Sequence, residues 1–90
     1  MININYKRII EAIEFLRPKE EQLTFFLDRN YILEISIEET CILFRIRRSD
    51  KHVTFCISIL EYEQTLLPKT DFIAYHLNNL IHKIEISYVS

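Results

Sequence analysis

Between Gln22 and Tyr62 the chain alternates apolar and polar residues with a period of two, and it makes every turn in that stretch without a glycine. Alternation of this kind puts successive side chains on opposite faces of a pleated strand, so it demands a sheet with one buried face. The apolar positions fall into four groups: Leu23, Phe25 and Leu27; Tyr31, Leu33, Ile35 and Ile37; Ile42, Phe44 and Ile46; Val53, Phe55, Ile57 and Ile59. Each group is expected to form a strand.

Register can be reasoned from the turns, because a slip of one residue would send every core side chain to the wrong face. A two-residue loop at Glu39 and Thr40 pairs Ile37 with Ile42, Ile35 with Phe44 and Leu33 with Ile46. A loop centred on Asp50 and Lys51 pairs Ile46 with Phe55, Phe44 with Ile57 and Ile42 with Ile59. The Asp28-Arg29-Asn30 loop pairs Leu27 with Tyr31 and Phe25 with Leu33, provided that Asn30 takes the left-handed conformation glycine usually supplies. The competing reading of residues 18–28 is a short helix beginning at Pro18.

On either side of the alternating stretch the period becomes helical. Tyr6, Ile9, Ile10, Ile13 and Leu16 share one stripe, with Asn5 placed to cap and Ile4 to staple against Ile9. A helix is expected over 6–16, stopped by Arg17 ahead of Pro18, with residues 18–21 as a polar linker. Pro68 and Asp71 mark a second start, and Ile73, Leu77, Leu80, Ile81 and Ile84 carry that helix over 69–83. Residues 84–89 alternate weakly and read as a short edge strand or an extended tail.

Each helical stripe and the inner sheet face need a partner, since apolar surface gains about 25 cal/mol per Å² on burial. The expected fold is α+β: an antiparallel β-meander of three to four strands with an N-terminal and a C-terminal helix packed on one face. Ninety residues suffice for one such domain, 1–90, and for no second one.

Charge and composition narrow the function classes. A net charge of −2 gives no general attraction to phosphate backbones, so nucleic-acid contact would rest on Arg45, Arg47 and Arg48 alone. No apolar run approaches the roughly 20 residues that span a bilayer, and residues 1–8 lack the pattern of a signal peptide. With two cysteines outside any zinc spacing, the chain reads as a cytosolic protein with free thiols and no metal or other cofactor. Its wealth of Ile, Asn, Lys, Phe and Tyr suggests a low-GC genome, such as that of a low-GC bacterium, a phage or a mobile element.

The expected registers also define an outer face. Its rows are Phe26, Ile32, Arg47 and Thr54; then Thr24, Glu34, Arg45 and Cys56; then Gln22, Ser36, Leu43 and Ser58; then Glu38, Cys41 and Leu60. Phe26, Ile32, Leu43, Leu60 and Tyr62 among arginines give this face the composition of a protein interface. Glu34 stands opposite Arg45 and is expected to offset one charge. Arg48 falls at the core-side margin. Cys56 beside Arg45 and Cys41 beside Leu60 are separated by four residues of strand, roughly 13 Å at about 3.3 Å per residue, which is beyond disulfide reach.

Catalytic patterns are not apparent. His76 and His82 are six apart, unlike the i, i+4 pair of a zinc helix, and His52 lies beside turn-forming Ser49 and Asp50. The glutamates are scattered rather than paired, and phosphate-cradling loops need the glycine this chain lacks. In the order helix, strands, helix the chain resembles double-stranded RNA-binding domains. Those carry a basic cluster at the start of their last helix, where Pro68, Lys69, Thr70, Asp71 and Phe72 offer a single lysine. Type III secretion chaperones and small phage anti-defence proteins are similar in architecture alone, and no motif carries the likeness.

The sequence therefore points to a non-enzymatic protein-binding module, a small inhibitor or adaptor from a phage or mobile element. Phe26, Ile32, Leu43, Arg45 and Arg47 are the expected contact residues. Homodimerisation through the outer face or the 53–60 edge, as in a chaperone-like scaffold, is the second reading. Nucleic-acid binding through the arginine strand is the third.

Overall fold

Residues 3–16 and 22–89 are described by the computed structural model of the chain. In order, the elements are α1 (Tyr6–Leu16), β1 (Gln22–Phe26), a 3-10 turn at Asp28–Asn30, β2 (Ile32–Ile37), β3 (Cys41–Arg48), β4 (Lys51–Ser58), α2 (Ile59–Gln64) and α3 (Lys69–Val89). The strands form one antiparallel sheet in the order β1-β2-β3-β4. This is the α+β meander expected from the alternation, with one helix more. The expected helix stop and polar linker at 17–21 lie outside the described residues.

Helix α1 starts where its cap requires, since the Asn5 side-chain oxygen accepts from the Arg8 N–H at 3.2 Å. Ile9, Ile13 and Leu16 are buried on its inner stripe. They pack in one cluster with Leu33, Ile35, Ile42, Phe44 and Ile57 of the sheet and Ile73, Leu77 and Leu80 of α3. Inner-face residues of the edge strands, such as Leu23, Phe25, Val53 and Phe55, are only half-buried. Residues 22–26 are strand rather than helix, and Phe25 pairs with Leu33 as expected.

The β2–β3 hairpin pairs Ile37 with Ile42, Ile35 with Phe44 and Leu33 with Ile46, in the expected register. The β3–β4 hairpin does not follow expectation. Its loop is Ser49 and Asp50, so Arg48 meets Lys51, Ile46 meets Val53 and Phe44 meets Phe55. In this register every residue of β3 finds a partner on β4. Because the difference is an even number of residues, each side chain keeps its face and changes only its neighbour.

The absence of glycine leaves a mark at the turns. Arg29, Asn30 and Ser49 all have positive φ, at 58°, 65° and 54°. Asn30 was expected there and Arg29 was not. At Ser49, the first central residue of a two-residue hairpin, a left-handed residue matches the strand twist, and the position usually belongs to glycine. A left-handed residue with a Cβ costs about 1–2 kcal/mol, of which glycine's extra unfolded-state entropy would return about 0.5–1. Ser49→Gly is thus expected to raise stability by about 0.5–1 kcal/mol, read as a higher urea midpoint at unchanged slope. A lower midpoint would rule out this account of the turn.

The end of β4 departs from expectation more than any other part. Ser58 is the last strand residue and also the N-cap of α2, its hydroxyl accepting from the Glu61 N–H at 3.3 Å. The Ile59 N–H donates to the Thr40 carbonyl at 3.0 Å, which fastens the junction to the β2–β3 turn. Leu60 therefore lies on a helix, exposed, and not on the outer sheet face. Tyr62 is fully buried at 0% exposure, its hydroxyl donating to Glu14 Oε1 on α1 at 3.1 Å.

Helix α3 does not stop at residue 83. It continues to Val89, so residues 84–89 are neither strand nor extended tail. Ile84 is buried at 1% while Ile86 is exposed, as helical phasing requires. The last turn is tied to the β3–β4 hairpin, where Lys51 Nζ donates to the Ser87 carbonyl at 2.8 Å and the Tyr88 hydroxyl donates to the Arg48 carbonyl at 2.6 Å. A lysine on a C-terminal carbonyl satisfies a group the helix leaves open.

Candidate functional site

All helical core residues pack on one side of the sheet, and among the described residues none covers the other. The rows across that open face now follow from the observed pairings. Phe26, Ile32, Arg47 and His52 form one, and Thr24, Glu34, Arg45 and Thr54 the next. Gln22, Ser36, Leu43 and Cys56 form the third, with Cys41 facing Ser58 beyond it. The corrected hairpin moves His52, Thr54, Cys56 and Ser58 by one row each.

Four of the five expected contact residues share the first two rows, and Leu43 joins them from the third. Phe26 is 81% exposed at a corner, while Ile32 and Leu43 on the central strands are half-buried by their own neighbours. Arg45 and Arg47 are exposed. Tyr62 and Leu60 do not belong to this surface, so its apolar content is smaller than expected.

The arginines of β3 meet three different fates. Arg47 Nε donates to Glu34 Oε1 at 3.0 Å, diagonally across the sheet. The other oxygen of Glu34 accepts from Gln22 Nε2 at 2.8 Å, so one carboxylate is held from both neighbouring strands. Arg45, directly across from Glu34, makes no hydrogen bond or ion pair with any described residue; the expected Glu34–Arg45 pairing is replaced by the diagonal one. Arg48 lies at the core-side margin, its guanidinium 5.2 Å from the ring centres of both Tyr31 and Tyr88. The free cation thus sits over a shallow depression of about 120 Å³ lined by Gln22, Glu34, Ser36, Leu43 and Arg45.

Two further hollows were not foreseen. A groove of about 420 Å³ runs between α1 and β1, lined by Arg8, Glu11, Phe15, Leu23 and Phe25 among others. Another of about 330 Å³ lies where the β3–β4 turn meets the end of α3, beside Lys51, His52, Lys83 and Ser87. Leu60, Leu66 and Leu67 are exposed around the α2–α3 connection, a small apolar surface that became visible only with α2 itself.

The histidines do not meet. His52 faces outward on β4 opposite Arg47, not within the turn. His76 is stacked on Phe55 with ring centres 4.9 Å apart and meets Phe72 and Tyr75 edge-on at 4.7 Å and 5.3 Å. Burial among these rings holds its imidazole below the usual histidine value, against a weaker opposing pull from Glu61. Among the described residues, no group of three or more His, Cys, Asp or Glu could hold a metal ion. No helix among them is long and apolar enough to cross a membrane.

The cysteines need the largest correction. With Cys41 paired to Ser58 and Leu43 to Cys56, the two thiols are diagonal neighbours on the same face rather than roughly 13 Å apart. A hydrogen bond to Cys41, with desolvation second, pushes the Cys56 thiol up to about 11. Arg45, expected beside Cys56, stands opposite Thr54 instead. Comparison with protein-family models, with curated proteins and with solved structures gives no match to this chain.

Proposed function

We propose that the chain is a non-enzymatic protein-binding module whose open sheet face receives a partner protein, with a partner carboxylate at Arg45 and apolar side chains against Phe26, Ile32 and Leu43. The observation that carries this reading is the unpaired guanidinium of Arg45 beside half-buried Leu43, on a face with no described element over it. A directional cation with apolar neighbours, which a bound partner would desolvate, is the composition of an interface hot spot. A composition rich in residues with AT-rich codons suits an inhibitor or adaptor of phage or mobile-element origin. Nucleic-acid binding is less well supported, since Arg47 is engaged by Glu34 and Arg48 by two tyrosines.

Leu43→Asp with Arg45→Glu tests the reading, because neither side chain holds the core and Arg45 has no internal partner to lose. The double variant is expected to keep the circular dichroism and urea midpoint of the parent. It should lose about 100-fold or more in affinity for a protein isolated on the wild-type chain from its native host. Unchanged affinity in the folded variant would remove the outer face from the proposal. Homodimerisation is favoured by one specific feature, the eight-residue edge strand β4 with one open side. Sedimentation at micromolar concentration separates the two readings, since a strict monomer excludes the dimer.

A further inference from the structure

We infer that Cys41 and Cys56 are a paired dithiol that reacts with a low-molecular-weight disulfide, such as oxidised glutathione, to close an intrachain disulfide across β3 and β4. The register places them there: Cys41 lies opposite Ser58 and Cys56 opposite Leu43, so both point to the outer face one diagonal step apart. Diagonal neighbours on an antiparallel pair have Cα atoms about 7–8 Å apart in a flat sheet, with Cβ atoms closer. The right-handed twist shortens the diagonal that joins a residue to the one two before its partner, which is the Cys41 to Cys56 diagonal. A disulfide spans Cα separations of about 4.4–6.8 Å, so closure asks for a small adjustment of two adjacent strands.

Two independent observations agree with this placement. Cys41 lies close enough to Cys56 to be the first cause of its raised thiol. Cys56 is exposed and Cys41 half-buried, so a small oxidant has access from the open face. Glu38, across the turn from Cys41, lies close enough to bear on Cys56 electrostatically. No third His, Cys, Asp or Glu completes a ligand set with them among the described residues, so the pair suits thiol–disulfide exchange better than metal binding.

The exchange balances without any further reactant. One cysteine thiolate attacks a sulfur of the small disulfide, forming a mixed disulfide and releasing one small thiolate, which takes up a proton. The second cysteine gives up its proton and attacks the protein sulfur of that mixed disulfide, forming the Cys41–Cys56 bond and releasing the second small thiol. Two electrons pass from the cysteine pair to the reagent, and two thiols leave. Since one sulfur starts at the other's side, the second step is intramolecular and outruns a second addition.

The test uses the full chain, folded, with excess oxidised glutathione, followed by acid quenching, alkylation and intact-mass and peptide analysis. The expected product has lost two hydrogens, carries no glutathione, links the Cys41 and Cys56 peptides, and melts higher by roughly 5 °C or more. Dithiothreitol should restore both free thiols. Cys41→Ser and Cys56→Ser, each shown to be folded, should stop at a single glutathione adduct with no rise in Tm. A wild-type product bearing two glutathiones, chains linked to one another, or a thiol pair that stays unreacted would each overturn the inference. So would an internal bond that forms only in urea. This inference stands apart from the identity of whatever meets the outer face.

Discussion

Phe44→Ala is expected to cost about 3–5 kcal/mol, while Phe26→Ala should change stability by no more than about 0.5 kcal/mol. Both are phenylalanines of one sheet, on β3 and β1. Phe44 is fully buried on β3 facing the helices, and Phe26 is 81% exposed on the opposite face. A domain of this length has about 5–14 kcal/mol in total, so the first variant loses a large share of its margin. Urea denaturation with a shared slope gives both numbers. Comparable losses at the two sites would mean that the outer face is covered in solution, for instance by a second copy. If the proposed function holds, Phe26→Ala weakens partner binding in a protein of undiminished stability.

Ile84→Asp should destabilise by about 3–5 kcal/mol, and Ile86→Asp should be nearly neutral. The pair is chosen because helix and strand predict opposite patterns. On a strand, Ile84, Ile86 and Tyr88 would share a face and the two variants would behave alike. On α3 as observed, Ile84 enters the core at 1% exposure and Ile86 points to solvent. A carboxylate at 84 has no cation among its buried neighbours and must either ionise in apolar surroundings or take up a proton. Thermal unfolding at neutral pH reads the difference directly, and equal shifts in Tm at the two positions would return residues 84–89 to an extended form.

Much of this architecture is legible in the residues, and the failures have identifiable physics. Period-two alternation specifies faces, which is why Phe26, Ile32, Leu43, Arg45 and Arg47 all appear outward. It does not specify partners, because a shift by two residues preserves every face. The β3–β4 register was therefore open between a loop centred on Asp50 and Lys51 and one at Ser49 and Asp50, and the observed one places Ser49 at positive φ. That one choice moved Cys56 from Arg45 to a position beside Cys41.

The missing helix has a signal in the sequence. Ser58-Ile59-Leu60-Glu61 fits the pattern of a capping box, a serine followed three residues later by glutamate. It was masked because Ile57, Ile59 and Tyr62 extend the apolar run of β4, and short runs do not separate strand from helix. The same ambiguity applies to residues 84–89, where every second residue is apolar and yet Leu80, Ile84 and Tyr88 also keep helical spacing. The arginine pairing could not be read at all: whether Glu34 turns to Arg45 or Arg47 depends on side-chain reach and on Gln22 holding its other oxygen.

The junction at Ser58 has a structural consequence. With no linker between β4 and α2, the strand passes straight into the helix at Ser58, whose hydroxyl accepts from the Glu61 N–H. One turn on, the Tyr62 hydroxyl reaches Glu14 of α1. The edge strand of the open face and the helix behind the sheet are thus joined by a path of only five residues and one hydrogen bond.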